Sequence, residues 1–241
     1  MKSTRALCWA AMMLIGSSGG VLAAPTGYKD KAAFDAATAA LSSRQTVDFE
    51  SVASGTPFGS GTGIGGLTFT YVIPGYSAQV ASTFGTTSGS NYLGLDNPDT
   101  AFYLGDSFTI NFNRSVHAVG LYLITGTDTL PGDLELSAGG GSVFNNGSFV
   151  TVADFGQAYY LGLVESDPTL GFTSATVQGI VSPGAFVAFT ADDITSAVAG
   201  VPAIPEPGSW ALMLAGLGVI AWGSRRTQAG TKRLCNCAEK A

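Results

Sequence analysis

The sequence is poor in the residues on which most catalytic and metal sites depend. It contains one histidine, His117, and three cysteines, Cys8, Cys235 and Cys237. All three cysteines lie near the chain ends, so residues 24–204 have no thiol nucleophile and no disulfide framework. Cysteine–histidine nucleophiles and histidine-based zinc sites are therefore excluded for this segment. We interpret His117, at the start of an apolar strand, as a hydrogen-bonded structural residue.

Basic residues are also scarce in this central segment. Residues 24–204 contain four basic residues against fifteen acidic ones, although the net charge of the whole chain is only −6. A strongly acidic surface repels nucleic acid and anionic lipid, so neither is expected as a partner of this domain. The composition instead favours surroundings rich in cations and neutral partners such as polysaccharides.

The N-terminus has the pattern of a signal peptide, which we assign to residues 1–23. Two basic residues precede an apolar run at residues 6–15, and small residues follow it. We predict cleavage after Ala23, because cleavage after Ala24 would leave a proline at the new N-terminus. The alternative is an uncleaved N-terminal anchor.

The C-terminal region contains three features in a fixed order. Pro205-Glu206-Pro207 is followed by an uncharged apolar run at residues 211–221 and then by Arg225-Arg226. As a helix, residues 209–224 would be about 24 Å long, slightly shorter than a ~30 Å hydrocarbon core. The tryptophans at both ends and the arginines after the run favour a transmembrane helix with a cytoplasmic C-terminus. A simple membrane anchor and a buried core helix are the alternatives.

These three features resemble the PEP-CTERM sorting signal of bacterial exported proteins, over residues 205–226. In that family, the membrane protease-transpeptidase exosortase cleaves near the Pro-Glu-Pro triplet. The resemblance therefore implies exosortase, the export machinery and the inner membrane as partners. The sorting residues that it implies are Pro205, Glu206, Pro207, Arg225 and Arg226. The family usually ends soon after the arginines, whereas residues 227–241 extend this chain, and we assign them to a cytoplasmic tail.

Between the two termini, the sequence predicts an all-β domain at residues 24–195. Residues 29–41 are alanine-rich and favour a short N-terminal helix with Phe34 on its apolar face. After this helix, short β-branched and aromatic runs alternate with turn residues, which predicts a β-sandwich or barrel of about ten strands. A parallel βαβ sheet is not expected, since no second long helical pattern occurs. Residues 196–204, rich in small residues and proline, are predicted to be a linker.

Pairs of acidic residues are the remaining candidates for chemistry. The pairs are Asp48/Glu50, Asp133/Glu135 and Asp192/Asp193. Residues two apart on a strand share one face, and a glycoside hydrolase needs only two carboxylates. Solvated strands show the same alternation, so we do not predict an enzyme and keep a carboxylate-dependent hydrolase as an alternative.

Four of these acids also predict a structural calcium site. Asp48 and Glu50 open the predicted first strand, and Asp192 and Asp193 follow the predicted last strand at residues 185–190. We expect these strands to be neighbours in a closed sandwich, and calcium takes carboxylate and carbonyl oxygens from protein loops. The alternative is that these acids are solvated strand ends.

A second resemblance concerns the domain itself. The early Asp-Phe-Glu, a glycine-rich loop and the late Asp-Asp-Ile resemble the jelly-roll β-sandwich domains common among PEP-CTERM proteins, which look like lectin or carbohydrate-binding modules. This resemblance implies Glu50 and Asp193 as the best candidates for Ca²⁺ ligands, followed by Asp48 and Asp192. It also implies extracellular polysaccharide as a partner. Residues 24–204 contain no tryptophan, which argues against a lectin.

These observations predict a non-enzymatic exported protein of the cell surface or extracellular matrix. It would be held in the inner membrane by its C-terminal helix until an exosortase processes it. A carbohydrate-binding β-sandwich is the alternative function, and a carboxylate-dependent glycoside hydrolase is the next.

Overall fold

Two β-sheets packed face to face make up most of the structure. The computed structural model of the chain describes residues 24–59, 62–73, 75–153, 156–180 and 187–200. These residues contain one helix, α1 (Lys31–Thr38), and sixteen strands. The strands are β1 (Thr26–Tyr28), β2 (Ser42–Val47), β3 (Pro57–Phe58), β4 (Gly63–Ile64), β5 (Leu67–Tyr71), β6 (Ala78–Ala81), β7 (Tyr92–Leu95), β8 (Phe102–Tyr103), β9 (Ser107–Val116), β10 (Ala118–Thr125), β11 (Leu134–Ala138), β12 (Gly141–Phe144), β13 (Phe149–Val152), β14 (Gly156–Val164), β15 (Phe172–Gly179) and β16 (Ala188–Val198). The predicted β-sandwich with one short helix is confirmed.

The large sheet has β16 near its centre. Its strands follow the hydrogen-bonded order β1-β14-β10-β16-β7-β6-β3, with β13 added to β14 and with β2 and β8 added to β16. One face of this sheet packs against the small sheet, and we call the opposite face its outer face. Successive residues of β10 and β14 point to opposite faces, and nearly all of them are buried. The outer face is buried as well because helix α1 and loops cover much of it.

The small sheet has one solvated face. Its strands follow the order β12-β11-β15-β9-β5-β4. In β9, Phe108, Ile110 and Phe112 are buried, whereas the polar residues between them are partly exposed. This alternation is typical of an antiparallel sheet that covers a core with only one face.

Aromatic rings fill much of the core between the sheets. The Phe102 ring stacks on Phe108 at a centroid distance of 4.6 Å and on Phe189 at 5.5 Å. Leucines of the large sheet, such as Leu121 and Leu161, are fully buried in the same cluster. Burial of this apolar area is the main stabilising contribution in a domain without disulfides.

Helix α1 covers part of the outer face of the large sheet. The Asp30 side chain caps the helix by accepting a hydrogen bond from the Ala33 N–H at 2.8 Å. Phe34 is fully buried, as its predicted apolar position required. The Phe34 ring packs against two glycines of the sheet, Gly162 and Gly120. A side chain at either position would crowd the ring, because a Cβ on Gly162 would be 2.5 Å from it and one on Gly120 would be 3.0 Å from it.

Both ends of the described chain leave the large sheet at the same end of its strands. In register, Thr26 lies opposite Val164, Val164 opposite Ala118, and Ala118 opposite Ala197. With strands ~4.8 Å apart, Thr26 and Ala197 are about 14 Å from each other. We call this end of the sandwich the base, and the opposite end, about 24 Å away at Thr125, the tip.

The strand boundaries differ from the sequence prediction at both acidic pairs. Strand β2 ends at Val47, because Phe49 has a φ of 62°, so Asp48 and Glu50 follow this strand rather than opening it. Strand β16 does not end at residue 190 but continues through both aspartates to Val198, three residues into the predicted linker at 196–204. The predicted pairing of the first long strand with the last is observed, since β2 pairs with β16.

Candidate functional site

A β-bulge in β16 places its acidic pair at the outer face of the large sheet. The register changes from Gly120 opposite Thr195 to Tyr122 opposite Asp192, so Asp193 belongs to an irregular step in the strand. Asp193 has a φ of 52°, a left-handed conformation that aspartate tolerates better than most residues. Bulges of this kind change the direction of side chains, and this one lets two consecutive aspartates contact the same loop.

Asp192 anchors the loop at residues 86–91, which we call the 86–91 loop. The Asp192 side chain is fully buried, and its Oδ2 accepts hydrogen bonds from the Thr87 N–H at 3.0 Å and the Ser88 N–H at 3.0 Å. The Thr87 hydroxyl donates to Asp192 Oδ2 at 2.8 Å and lies 3.0 Å from Asp193 Oδ2. The carboxylate therefore satisfies backbone donors that the loop buries against the sheet.

The surroundings of Asp192 also change its acidity. Burial raises the pKa of its carboxyl to about 6, and the neighbouring charge of Asp193 adds to this effect. The hydrogen bonds from Thr87 and Ser88 act in the opposite direction, but burial and the like charge dominate.

Glu50 holds the other end of the 86–91 loop. Its Oε1 accepts hydrogen bonds from the Ser90 N–H at 2.8 Å and the Asn91 N–H at 2.6 Å. Gly89, with a φ of 53°, brings the backbone so close that a Cβ there would overlap the Glu50 carboxylate. The Asp48 side chain lies next to this contact and accepts from the Glu50 N–H at 3.2 Å.

Three of the four predicted metal ligands, Glu50, Asp192 and Asp193, thus contact one loop, whereas Asp48 contacts the Glu50 N–H. The Asp192 and Glu50 carboxylates accept hydrogen bonds from backbone N–H groups of this loop. In the part of the chain that the structure describes, no group of three or more histidine, cysteine, aspartate or glutamate residues is placed to hold a metal ion. The calcium site stays a prediction.

A polar depression lies between helix α1 and the 86–91 loop, on the outer face. Its volume is about 510 Å³. The residues that give it polar or aromatic character are Lys31, Thr86, Thr87, Tyr122, Thr151 and Asp193. Burial, followed by the charge of Asp193, raises the pKa of the Tyr122 hydroxyl, so this hydroxyl stays protonated and can donate. The depression therefore combines a ring, a carboxylate and hydroxyl groups.

His117 has the structural role that the sequence indicated. The Ala199 N–H donates to its Nδ1 at 3.1 Å, and its Nε2 lies 3.1 Å from the Pro168 carbonyl oxygen. With these partners, the proton belongs on Nε2, and both ring nitrogens are used. The side chain is 7% exposed and fastens the end of β16 to β10.

The remaining acidic pair does not form a two-carboxylate site. Asp133 is buried before β11 and accepts a hydrogen bond from the Leu130 N–H at 2.7 Å. Glu135 lies on the solvated face of the small sheet, opposite Phe144 and Gln178. The two side chains therefore have different surroundings, although their spacing predicted a common face.

The predicted processing residues lie mostly outside the described residues. They are Ala23, Pro205, Glu206, Pro207, Arg225 and Arg226. Ala24 is the first described residue and is exposed, whereas the next residue, Pro25, is buried. Within the described ranges, no helix is both long enough and apolar enough to cross a membrane.

Comparison with known proteins characterises the C-terminus. Residues 203–226 match the family model described as the PEP-CTERM protein-sorting motif. The chain carries a PEP-CTERM motif. The match includes the Pro-Glu-Pro triplet and the arginine pair, and it confirms the resemblance noted in the sequence. The motif implies an exported protein that is anchored in a membrane, processed by an exosortase and then located at the surface or outside the cell.

The domain itself has weaker similarities. No curated protein matches the chain. A solved structure titled "Carbohydrate binding module family29" is 13% identical, covering 55% of this chain and 90% of that chain, with a TM-score of 0.27. A mutant of a carbohydrate binding module family 29 is 12% identical, covering 58% of this chain and 99% of that chain, with a TM-score of 0.26. These TM-scores are too low to support a statement about the function of the present domain.

Proposed function

We propose that the chain is a non-enzymatic exported protein that an exosortase releases from the inner membrane at its PEP-CTERM motif. The mature domain would remain at the cell surface or in the extracellular matrix. The observation that carries this proposal is the motif at residues 203–226, which begins just after β16 ends at Val198. The proposal includes a signal peptide at residues 1–23 and a transmembrane helix within 205–226 with its C-terminus in the cytoplasm.

Mass spectrometry of the exported chain tests the processing step. In cells with an active exosortase, we expect the mature chain to lack residues 208–241. Replacing Pro205, Glu206 and Pro207 together by alanine should leave the full C-terminus in place and the protein in the membrane fraction. The matched control is Pro202→Ala, which removes a proline outside the triplet and should not change processing. A wild-type chain that keeps residues 208–241 would contradict the proposal.

The contacts of the acidic residues support a non-enzymatic role. A hydrolase needs carboxylates that face a substrate, whereas Asp192 and Glu50 are hydrogen-bonded to the backbone of the 86–91 loop. We therefore expect no hydrolysis when the protein is incubated with polysaccharides. Hydrolysis that is lost in both Glu50→Gln and Glu135→Gln would instead establish the carboxylate-dependent alternative.

Binding of a neutral glycan is a second candidate function, which the polar depression favours. Sugars present an apolar ring face and a rim of hydroxyls, and protein sites pair an aromatic side chain with a few directed polar groups. Tyr122 would supply the ring, Asp193 an acceptor, and Thr86 and Thr87 hydroxyl groups. An acidic domain also suits neutral polysaccharide better than an anionic polymer.

A glycan array of the full-length chain in nanodiscs tests this second function. Asp193→Asn removes the charge while keeping a residue that tolerates the left-handed backbone, and we expect it to weaken binding about tenfold or more. Glu135→Gln makes the same charge change on the solvated face of the small sheet and should leave binding unchanged. Equal signals across all glycans, or equal loss in both variants, would dismiss the polar depression as a glycan site.

The calcium site is a separate proposal with its own measurement. If Glu50 and Asp193, with Asp48 and Asp192, bind structural Ca²⁺, then calcium should raise the melting temperature and EDTA should lower it. Glu50→Gln should reduce the effect of calcium. A melting temperature that neither calcium nor EDTA changes would show that the site is wrong.

A further inference from the structure

A second, apolar cleft lies on the outer face of the large sheet near the tip. Its volume is about 260 Å³, and its lining includes Phe84, Ala101, Ile124, Ala153, Val187 and Thr190. The cleft is separated from the polar depression where Gly85 approaches Ala153, because a Cβ on Gly85 would lie 2.6 Å from the Ala153 carbonyl oxygen. Close backbone contact therefore forms this side of the cleft.

The Thr190 hydroxyl differs from the other polar groups in this lining. Thr190 is 3% exposed, and its Oγ1 is without a partner among the described residues. Thr190 lies between Phe189 and Ala191, which face the core, so its side chain belongs to the outer face where the cleft lies. The other threonine in the lining is different, since the Thr125 hydroxyl donates to the Ala188 carbonyl oxygen at 2.9 Å.

An unpartnered buried hydroxyl is unfavourable unless something else bonds to it. Buried polar side chains are nearly always hydrogen-bonded, because leaving one unsatisfied loses the bonds that it made to water. A valine would fill the same space without this disadvantage. The hydroxyl at position 190 therefore points to a group that enters the cleft and is not among the residues that the structure describes.

The lining also restricts the chemistry of that group. The walls are mostly aliphatic and aromatic, which favours an apolar body, and the Phe84 ring is 40% exposed with its other side against Tyr92 at 6.1 Å. Asp128 lies at the rim of the cleft, so an anionic ligand would be repelled. The volume is slightly below the ~300 Å³ at which pockets for drug-sized ligands begin, so the ligand is small.

We propose that this cleft binds a small, neutral ring compound that carries one hydroxyl or carbonyl oxygen, with Thr190 Oγ1 as the hydrogen-bond partner of that oxygen. The ring would lie against Phe84 and Ile124, and the hydroxyl of Thr190 can either donate to a carbonyl or accept from an alcohol. This site is distinct from the polar depression and does not depend on glycan binding.

Fluorine NMR with two matched probes tests the proposal on the full-length chain in nanodiscs. Fluorobenzyl alcohol has the required oxygen, whereas fluorotoluene has nearly the same ring without it. Empty nanodiscs give the blank for partition of each probe into lipid. The quantity compared is the ratio of the fluorotoluene Kd to the fluorobenzyl alcohol Kd.

Three variants separate the hydroxyl from the shape of the cleft. Thr190→Val should lower the ratio about fivefold, as expected for one neutral hydrogen bond, and Thr190→Ser should keep it. Thr195→Val is the control on the same strand, because the Thr195 hydroxyl is also buried but is 2.8 Å from the Thr46 hydroxyl. This control should leave the ratio unchanged.

Stability measurements provide an independent readout. Thr190→Val should keep or raise the midpoint of urea unfolding, since it removes an unsatisfied hydroxyl, whereas Thr195→Val should lower it. The proposal is overturned if neither probe binds above the blank, or if the ratio is the same in the wild type and Thr190→Val. A lower midpoint for Thr190→Val would likewise show that the hydroxyl already has a partner in the folded chain.

Discussion

At the scale of single residues, Asp192 should make the protein less stable as the pH rises. The pKa of its carboxyl is about 6 in the folded protein, against an ordinary value of 3.8. Between these values, the folded state keeps a proton that the unfolded state has lost, so the free energy of unfolding falls with rising pH. A pKa difference of about two corresponds to roughly 3 kcal/mol, which is lost between about pH 4 and pH 6.

Urea unfolding of the wild type and Asp192→Asn across this pH range measures the effect. Asparagine does not titrate and keeps one oxygen that can accept a backbone N–H. Between pH 4 and pH 6, the free energy of unfolding of the wild type should therefore fall relative to that of Asp192→Asn. Two parallel curves would mean that the Asp192 carboxyl has an ordinary pKa in the folded protein.

Gly89 is a second residue with a measurable role. An alanine there would take a left-handed backbone, which disfavours a side chain by about 1–2 kcal/mol, and would push the Glu50 carboxylate away from Ser90 and Asn91. Gly55→Ala is the matched control, because Gly55 also has a positive φ, of 84°, but open space around it. We expect Gly89→Ala to lower the free energy of unfolding by about 1 kcal/mol more than Gly55→Ala. Equal losses would show that Glu50 contributes nothing to the loop.

At the scale of elements, the packing of α1 depends on one side chain. Phe34 is fully buried over glycines of the large sheet and lies 5.4 Å from the Tyr160 ring, so Phe34→Ala should lower the free energy of unfolding by about 3–5 kcal/mol. Asp30→Ala removes only the helix cap and should lower it by about 1 kcal/mol. Chemical denaturation of the two variants separates these contributions. Similar losses would indicate that capping, rather than burial, fixes the helix.

Sequence periodicity predicted the elements whose signal is local. The buried position of Phe34, the sandwich of alternating strands and the neighbouring positions of β2 and β16 followed from spacing and turn residues. The end of β16 was predicted wrongly, because two consecutive aspartates are typical of a strand end and a bulge with a positive φ at Asp193 has no local signature. The jelly-roll connectivity stays a prediction.

The candidate site could be predicted only in part from the sequence, because the residues that contact each other there are far apart in the chain. Glu50 and Asp192 were expected near each other, but the 86–91 loop that they hold had only the composition of a turn. Thr190 could not be singled out from the sequence, since threonine is common in strands and only the folded sheet shows that its hydroxyl lacks a partner among the described residues. Such features depend on tertiary packing rather than on periodicity.

At the scale of the whole molecule, the two ends of the described chain lie together at the base of the sandwich. Because Thr26 and Ala197 are only three strands apart, an uncleaved signal segment should not prevent folding. We expect Ala23→Phe, which blocks the predicted cleavage site, to give the same protease-resistant domain as the wild type in membranes. Leu121→Asp, which places a charge in the core, provides the unfolded control. Digestion of Ala23→Phe to the same extent as this control would contradict the shared exit.

If the chain is anchored as proposed, the position of these two ends would also decide which end of the sandwich faces the bilayer. The cleft lies near the tip, about 24 Å along the strands from Thr26 and Ala197, so in the proposed membrane-anchored form the bilayer and the cleft would lie at opposite ends of the sandwich. A solute diffusing in from the medium would meet Thr190 without passing between protein and lipid. If the released C-terminus were then joined to an external polymer, this orientation would be preserved, because the new bond would also form at the base of the sandwich.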